Sequence, residues 1–401
     1  MRRASYVLLI AGLYGCSKEA QVTQPVEVSA HRSPNGGSPR YRILKLTASL
    51  GGTVSRGTSI NDRGWIAGFS NLPGNQTRHG TLWRDGSFVD LGTLGGPNSS
   101  VVWPGQNNHG TVVGIAEIDR LDPLNESWSC SAFFPAAAGH ICLGFVWQDG
   151  AMTPLPTLGG NNGFATGVND RGQVVGWAET PVRDPTCNAP QVLQFRAVMW
   201  EPKRGRIHQL PPMPGDSTSA ATAINQRGQA VGISGDCDVA VGRFSARHAV
   251  LWEHGRVIDL GNLGGISWHT AMAISERGDV VGFSNPPGDA DGSFIPHAFL
   301  WTERGGIRDL GTLAGDATSQ GLSINTRRQV VGVSSGDAGN RAFLWEDGVM
   351  TDLNNLVEPG FTDRLISAQD INEAGKITGR VLEQSTGKTL AFVAIPIADT
   401  P

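Results

Sequence analysis

The chain of 401 residues is poor in several things that mark common protein classes. Only 17% of its residues are charged and the formal net charge is −4, so there is no basic stripe of the kind that nucleic-acid binding needs. Few stretches carry the 3.6-residue periodicity of a helix. No apolar run is long enough to cross a bilayer as a mature helix. A nucleophile elbow, a His-Glu-x-x-His helix, a phosphate loop and a fixed local pair of acids are all missing, so no catalytic motif stands out. Glycine runs such as Leu94-Gly95-Gly96 follow strands without opening helices and read as turns. What the sequence has is glycine (54 residues) and proline (23), fencing short alternating apolar runs. That is the pattern of many short strands, and the composition is all-β.

The first residues read as an export signal. Met1-Arg2-Arg3 is a positive start, and Tyr6 to Leu13 is a short apolar stretch. Leu13-Tyr14-Gly15-Cys16 resembles the lipobox of bacterial lipoproteins, although Tyr14 departs from the small residue usual there. The resemblance implies cleavage before Cys16 and lipidation of its amino terminus. Ser17, in place of Asp, implies sorting to the outer membrane. Residues 1–15 are then a signal peptide, 16–40 a flexible tether, and 41–397 a single domain. Removing Cys16 from the five cysteines leaves Cys130, Cys142, Cys187 and Cys237. An exported chain meets an oxidising compartment, so two disulfides are expected. Three connectivities are possible. The favoured one pairs Cys130 with Cys142, closing a short loop, and Cys187 with Cys237, in equivalent loops of successive repeats. With no Cys-x-x-Cys spacing, a zinc site is not expected.

A repeated sentence organises the rest of the chain. A turn opens with Asn61, Asn107, Asn169, Asn225, Ser275, Asn325 and Asn372, at spacings of 46, 62, 56, 50, 50 and 47 residues. Its fourth residue is glycine except at Arg328, where the sequence predicts strain or an adapted turn. A strand ending in tryptophan recurs at Trp83, Trp147, Trp200, Trp252, Trp301 and Trp345, usually followed by a hairpin such as Asp85-Gly86. Each copy holds four strands: the Trp strand, an Asp-Leu-Gly strand, an Ile-Asn strand and a Val-Val-Gly strand. Four strands in about 50 residues is one propeller blade. Tyr41–Leu46 has no Trp strand before it, and Leu390–Ala394 is an orphan Trp-type strand. Three strands at the amino end and one at the carboxyl end would then complete a seventh blade and leave no exposed edges. The expected fold is a seven-bladed β-propeller of four-stranded blades, with an open solenoid as the alternative. The copies resemble the HAF extracellular repeat family, whose name is spelled by His297-Ala298-Phe299, over roughly residues 41–397. That resemblance implies a bacterial, extracellular, propeller-like protein and brings no defined activity.

Candidate sites follow from what varies and what recurs. The loops from the Val-Val-Gly strand to the Trp strand vary most: 118–141, 180–194, 236–245 and 285–295. Loops of this kind carry function more often than the scaffold does. Trp128, Phe133 and Phe134 in the longest are candidates for an aromatic ligand platform, or for packing over their own blades. Four residues before the tryptophan stand His79, Arg196, His248, His297 and Arg341, with Leu143 and Leu390 in the other copies. If the Trp strand were innermost, these would form a channel ring able to hold an anion. The hairpin register offers another reading, intrablade pairing with Asp90, Asp259, Asp309 and Asp352. The alternating acids Asp236/Asp238 and Asp289/Asp291 lack the remaining ligands of a calcium loop. No metal and no cofactor is expected. The functional expectation is a non-catalytic surface scaffold, a monomer, binding a protein or polysaccharide through its variable-loop face and touching the membrane only through its lipid. An extracellular glycan hydrolase or lyase, or a structural outer-membrane assembly component, are the alternatives.

Overall fold

The computed structural model describes residues 40–47, 49–126, 130, 132–136 and 138–397. Seven four-stranded antiparallel sheets stand in a ring, a seven-bladed β-propeller. Blade 1 runs from an inner strand, Ser55–Ile60, through Ile66–Asn71 and Arg78–Arg84 to an outer strand, Ser87–Asp90. Blades 2 to 6 begin at Gly95, Gly163, Thr218, Thr270 and Asp316 and repeat the order. Burial sets the direction. Ser55–Ile60 is buried throughout, whereas Ser87–Asp90 is half-buried to exposed.

The inner strand is therefore the Ile-Asn strand, and the Trp strand is third. Sterics explain this. Two residues before each turn the blades carry Ser59, Gly105, Gly167, Ala223, Ala273 and Ser323, small side chains that let neighbouring strands meet near the axis. An indole has room only further out, where the blades splay. The glycine of Val-Val-Gly has a second cause: a Cβ on Gly176, Gly282 or Gly332 would stand 1.9 Å from an inner-strand carbonyl oxygen. The Asp85-Gly86 hairpin has φ of +49° and +75°, the pair of positive values a type I′ turn requires.

The closing blade departs from expectation in its division. Arg364–Ile371, Ile377–Leu382 and Thr389–Pro396 supply three strands, and Tyr41–Leu46 supplies only the outermost. The register runs from Tyr41 opposite Pro396 to Leu46 opposite Ala391. The carboxyl end thus gives three strands and the amino end one, the reverse of the expectation, because each blade starts at its Ile-Asn strand. Six complete blades and one shared blade remain.

The turns after the inner strands gather on one face, here the turn face, and close a ring. Asn61 Nδ2 donates to the Asn107 carbonyl at 3.2 Å, Asn107 to Asn169 at 3.0 Å and Asn169 to Asn225 at 3.1 Å. Asn225 donates to Ser275 at 3.1 Å, Asn325 to Asn372 at 3.2 Å and Asn372 to Asn61 at 2.9 Å. The seventh link fails because Ser275 has no amide. At that same junction Arg328 adopts φ +61° and bridges Asp279 of blade 5 at 2.7 and 3.2 Å. The turn without glycine adapts, and its ion pair spans the gap.

Candidate functional site

The opposite face carries the connections from second to third strand and from blade to blade. On this loop side of the third strands lie His79, Arg196, His248, His297 and Arg341. The condition for a channel ring, an innermost Trp strand, is not met. His79 Nδ1 lies 3.0 Å from Asp90, His248 Nδ1 3.1 Å from Asp259, His297 Nδ1 2.8 Å from Asp309 and Arg341 Nη1 3.3 Å from Asp352. These are the intrablade pairs of the hairpin register. The hydrogen bond to Asp259 raises the His248 pKa, and the same bond lowers that of Asp259. Arg196 turns instead to Gln194, at 3.2 Å.

Phe133 and Phe134 do not form a platform. They are 1% and 6% exposed, folded inward from the longest loop. The Phe133 ring sits 5.4 Å from that of Trp103 and 4.8 Å from that of Phe164, and its carbonyl accepts from Arg78 of blade 1 at 3.1 Å. The cause is an apolar socket made by Trp103, Phe164 and Trp177, which a long loop can reach and fill. Trp128 lies outside the described residues, as do Cys16, the signal peptide and the tether before Arg40.

Around this buried cluster the loops of blades 2 to 5 are tied into one wall. Cys130 pairs with Cys142 and Cys187 with Cys237, the favoured connectivity; the second bond joins the loops of blades 3 and 4. Glu126 of blade 2 accepts from the N–H groups of Val192 and Leu193 of blade 3 at 2.7 and 2.5 Å. Asn188 donates to Asp238 at 2.6 Å. Arg243 of blade 4 reaches the Asp289 carbonyl at 2.9 Å and Ser267 Oγ at 3.1 Å. The acids that resembled calcium loops are thus struts: Asp289 accepts from the Ile266 N–H at 2.9 Å and Asp238 from the Phe244 N–H at 3.0 Å. Among the described residues no group of three His, Cys, Asp or Glu is placed to hold a metal ion.

The outward surface of the wall is apolar at one point per blade. Leu121, Val182, Phe244 and Ile266 are 65%, 52%, 38% and 56% exposed. Reasoning from sequence fixed on the aromatic residues and missed these. The available signal was a single apolar residue at a strand end or loop edge, which is weak by itself.

Beneath the wall lie buried carboxylates that the sequence did not announce. Glu117, Glu126 and Glu179 are at most 1% exposed. Burial, followed by the charge of Glu126, pushes Glu179 up to about 7. Its oxygens accept from the Asn162 N–H at 2.8 Å and from Gln191 at 2.9 Å. Burial also raises Glu117 and Glu126. Near the axis, Asp370 takes the place that holds a small residue in the other blades, and burial pushes it up to about 7. It accepts from Ile60 N–H of blade 1 at 2.7 Å, Ser323 Oγ of blade 6 at 2.6 Å and its neighbour Ile371 N–H at 2.9 Å.

Fold and surface together define a seven-bladed propeller with one regular and one elaborated face. No protein-family model matches the chain, and no curated protein matches it. Among solved structures it is similar to a streptogramin B lyase, at 11% identity over 89% of this chain and 98% of that one, with a TM-score of 0.48. It is similar also to the acylaminoacyl peptidase of Pyrococcus horikoshii, at 10% identity over 86% of this chain, with a TM-score of 0.47. The chain spans about half the length of that peptidase, 52%. A gluconolactonase of Xanthomonas campestris matches at 11% identity over 90% of this chain and 97% of that one, TM-score 0.37. None of these likenesses transfers an activity or a residue role.

Proposed function

We propose that the protein is a non-catalytic scaffold, exported and held to the outer membrane by lipid at Cys16, that binds a protein or polysaccharide on its loop face. The observation that carries this reading is the tied wall over blades 2 to 5. Disulfides and inter-loop hydrogen bonds hold its exposed apolar points in fixed relative positions, which reduces the ordering entropy a partner must overcome. The point of attachment supports the orientation. Arg40, which the tether precedes, lies at the turn face, its guanidinium 2.5 Å from Glu346 of blade 6. A lipid anchored there leaves the loop face directed outward.

The test uses the full chain carrying Cys16→Ser, presented to a panel of glycans and envelope proteins. A ligand should be bound without turnover, and Leu121→Asp/Val182→Asp/Phe244→Asp should weaken it at least tenfold while the thermal melt stays intact. Binding untouched by that triple change removes the loop face as the site. Cleavage of the ligand removes the non-catalytic reading.

A further inference from the structure

The turn face repeats one inter-blade arrangement in three of its seven blades. In blades 3, 4 and 6 the third turn residue is Arg171, Arg227 or Arg327, and its guanidinium lies over the glycine of the next blade's turn. A Cβ on Gly228, Gly278 or Gly375 would meet Nη2 at 2.8, 2.5 or 2.6 Å. The glutamine two residues further on helps to hold the group, as Gln329 Oε1 does by accepting from Arg327 Nη2 at 2.9 Å. In blades 4 and 6 that glutamine in turn donates to a glutamate at the end of the third strand, Gln229 to Glu253 at 2.7 Å and Gln329 to Glu346 at 3.1 Å; in blade 3 Gln173 donates to Met199 Sδ at 3.5 Å.

Blade 2 replaces all three members of this arrangement. His109 stands for the arginine, Thr111 for the glutamine and Gln148 for the glutamate. Gly172, the glycine of the next turn, is left uncovered; the nearest atom to a Cβ there would be Lys203 Cε at 3.9 Å. The seam between blades 2 and 3 opens into a cavity of about 380 Å³, within the size range of small-ligand sites. Val146, Val174 and Pro202 give it an apolar side, and Thr111 and Gln148 give it hydrogen-bonding groups. Three ionisable groups line it, His109, Asp170 and Lys203. Asp170 already accepts from Asn108 N–H at 2.8 Å and Asn108 Nδ2 at 3.3 Å. Lys203, exposed on the blade 3 hairpin, forms no ion pair among the described residues.

We propose that this seam binds a carboxylated sugar residue: the carboxylate on Lys203, the hydroxyls on Gln148 and Thr111, and the C–H face of the ring against Val146, Val174 and Pro202. The site lies on the face opposite the loop wall and does not rest on the function proposed above.

Isothermal titration of the full chain carrying Cys16→Ser tests it with three probes: glucuronate, glucose and inorganic phosphate. Glucuronate should bind saturably, with glucose and phosphate each at least tenfold weaker. Lys203→Met should weaken glucuronate at least tenfold. His109→Arg, which restores the residue of the sibling turns, should fill the cavity and abolish binding with no loss of thermal stability. The loop-face triple variant should leave glucuronate affinity unchanged. Glucose binding as tightly as glucuronate overturns the carboxylate assignment, and phosphate binding as tightly overturns the sugar. No glucuronate binding, or binding that survives His109→Arg, removes the site itself.

Discussion

The turn face is held by repetition and the loop face by exception. On the turn face the same asparagine amide makes the same inter-blade bond in six of seven junctions. On the loop face each joint is made once, by a disulfide in one place, by Glu126 in another and by Arg243 in a third. Repeated chemistry in a copied unit reports the scaffold, since copying a blade copies its bonds. The His–Asp pairs illustrate this: a basic residue recurs because its aspartate recurs eleven or twelve residues on. Chemistry that occurs once is where the molecule departs from what its architecture requires. Glu126 and the seam beside His109 belong to that second kind.

The comparison breaks most severely if the loop face loses its buried anchor. Phe133→Ala should cost about 3–5 kcal/mol, because a ring enclosed by Trp103, Phe164 and Trp177 leaves a cavity with rigid walls. Chemical denaturation measures the loss. A cost below about 1 kcal/mol would mean that the loop is draped over the inner strands and does not support them. Titration separates the faces next. Between pH about 4.5 and about 7 the folded state keeps a proton on Glu179 that the unfolded chain has released, so stability falls as pH rises through that window. The fall attributable to Glu179 is at most about 3 kcal/mol. Asp370, raised to about 7 from 3.8, gives a similar fall of its own. His269, held down to about 4 by burial, gives a rise of opposite sign between about 4 and 6.5, so the expected change is absolute. Glu179→Gln should make the slope of unfolding free energy against pH less negative by up to about 1.4 kcal/mol per pH unit in the window between about 4.5 and about 7. An unchanged slope would mean that Glu179 ionises freely in the fold.

The propeller was legible because its signals are local and sevenfold. Each Asn-x-x-Gly turn and each tryptophan fixes a strand end, and a wrong reading of one copy is corrected by six others. Strand order inside a blade was not legible, since it depends on which strand can approach the axis, a distance between copies. Only the size of the residues at 59, 105, 167, 223, 273 and 323 hinted at it. The disulfide pairing followed from loop equivalence. The rim aromatics carried two readings, platform or packing, because Phe133 in a long loop looks the same in sequence whether it faces solvent or a socket formed by Trp103, Phe164 and Trp177. The seam at His109 was present in the alignment of the turns, but its meaning needs the guanidinium of Arg171 to be seen lying over Gly228 on the neighbouring seam.

The smallest expected effect sharpens the comparison furthest, because it asks whether exceptions on the turn face compensate one another. Ser275→Asn supplies the missing amide, and its Oδ1 can take over the Asp279 N–H that Ser275 Oγ now accepts at 3.2 Å. The completed ring should gain about 0.5–1.5 kcal/mol. Arg328→Gly removes a guanidinium from Asp279, which is 5% exposed, and so strands a buried carboxylate while relieving a positive φ. If the Arg328–Asp279 pair stands in for the absent link, Arg328→Gly will be less harmful in the Ser275→Asn background than in the natural one. A double-mutant cycle read by denaturant unfolding gives the coupling. Additive effects would show that the two irregularities share a junction without sharing a role. Coupling would show that a copied ring can lose a member and be repaired across the same gap by a different bond.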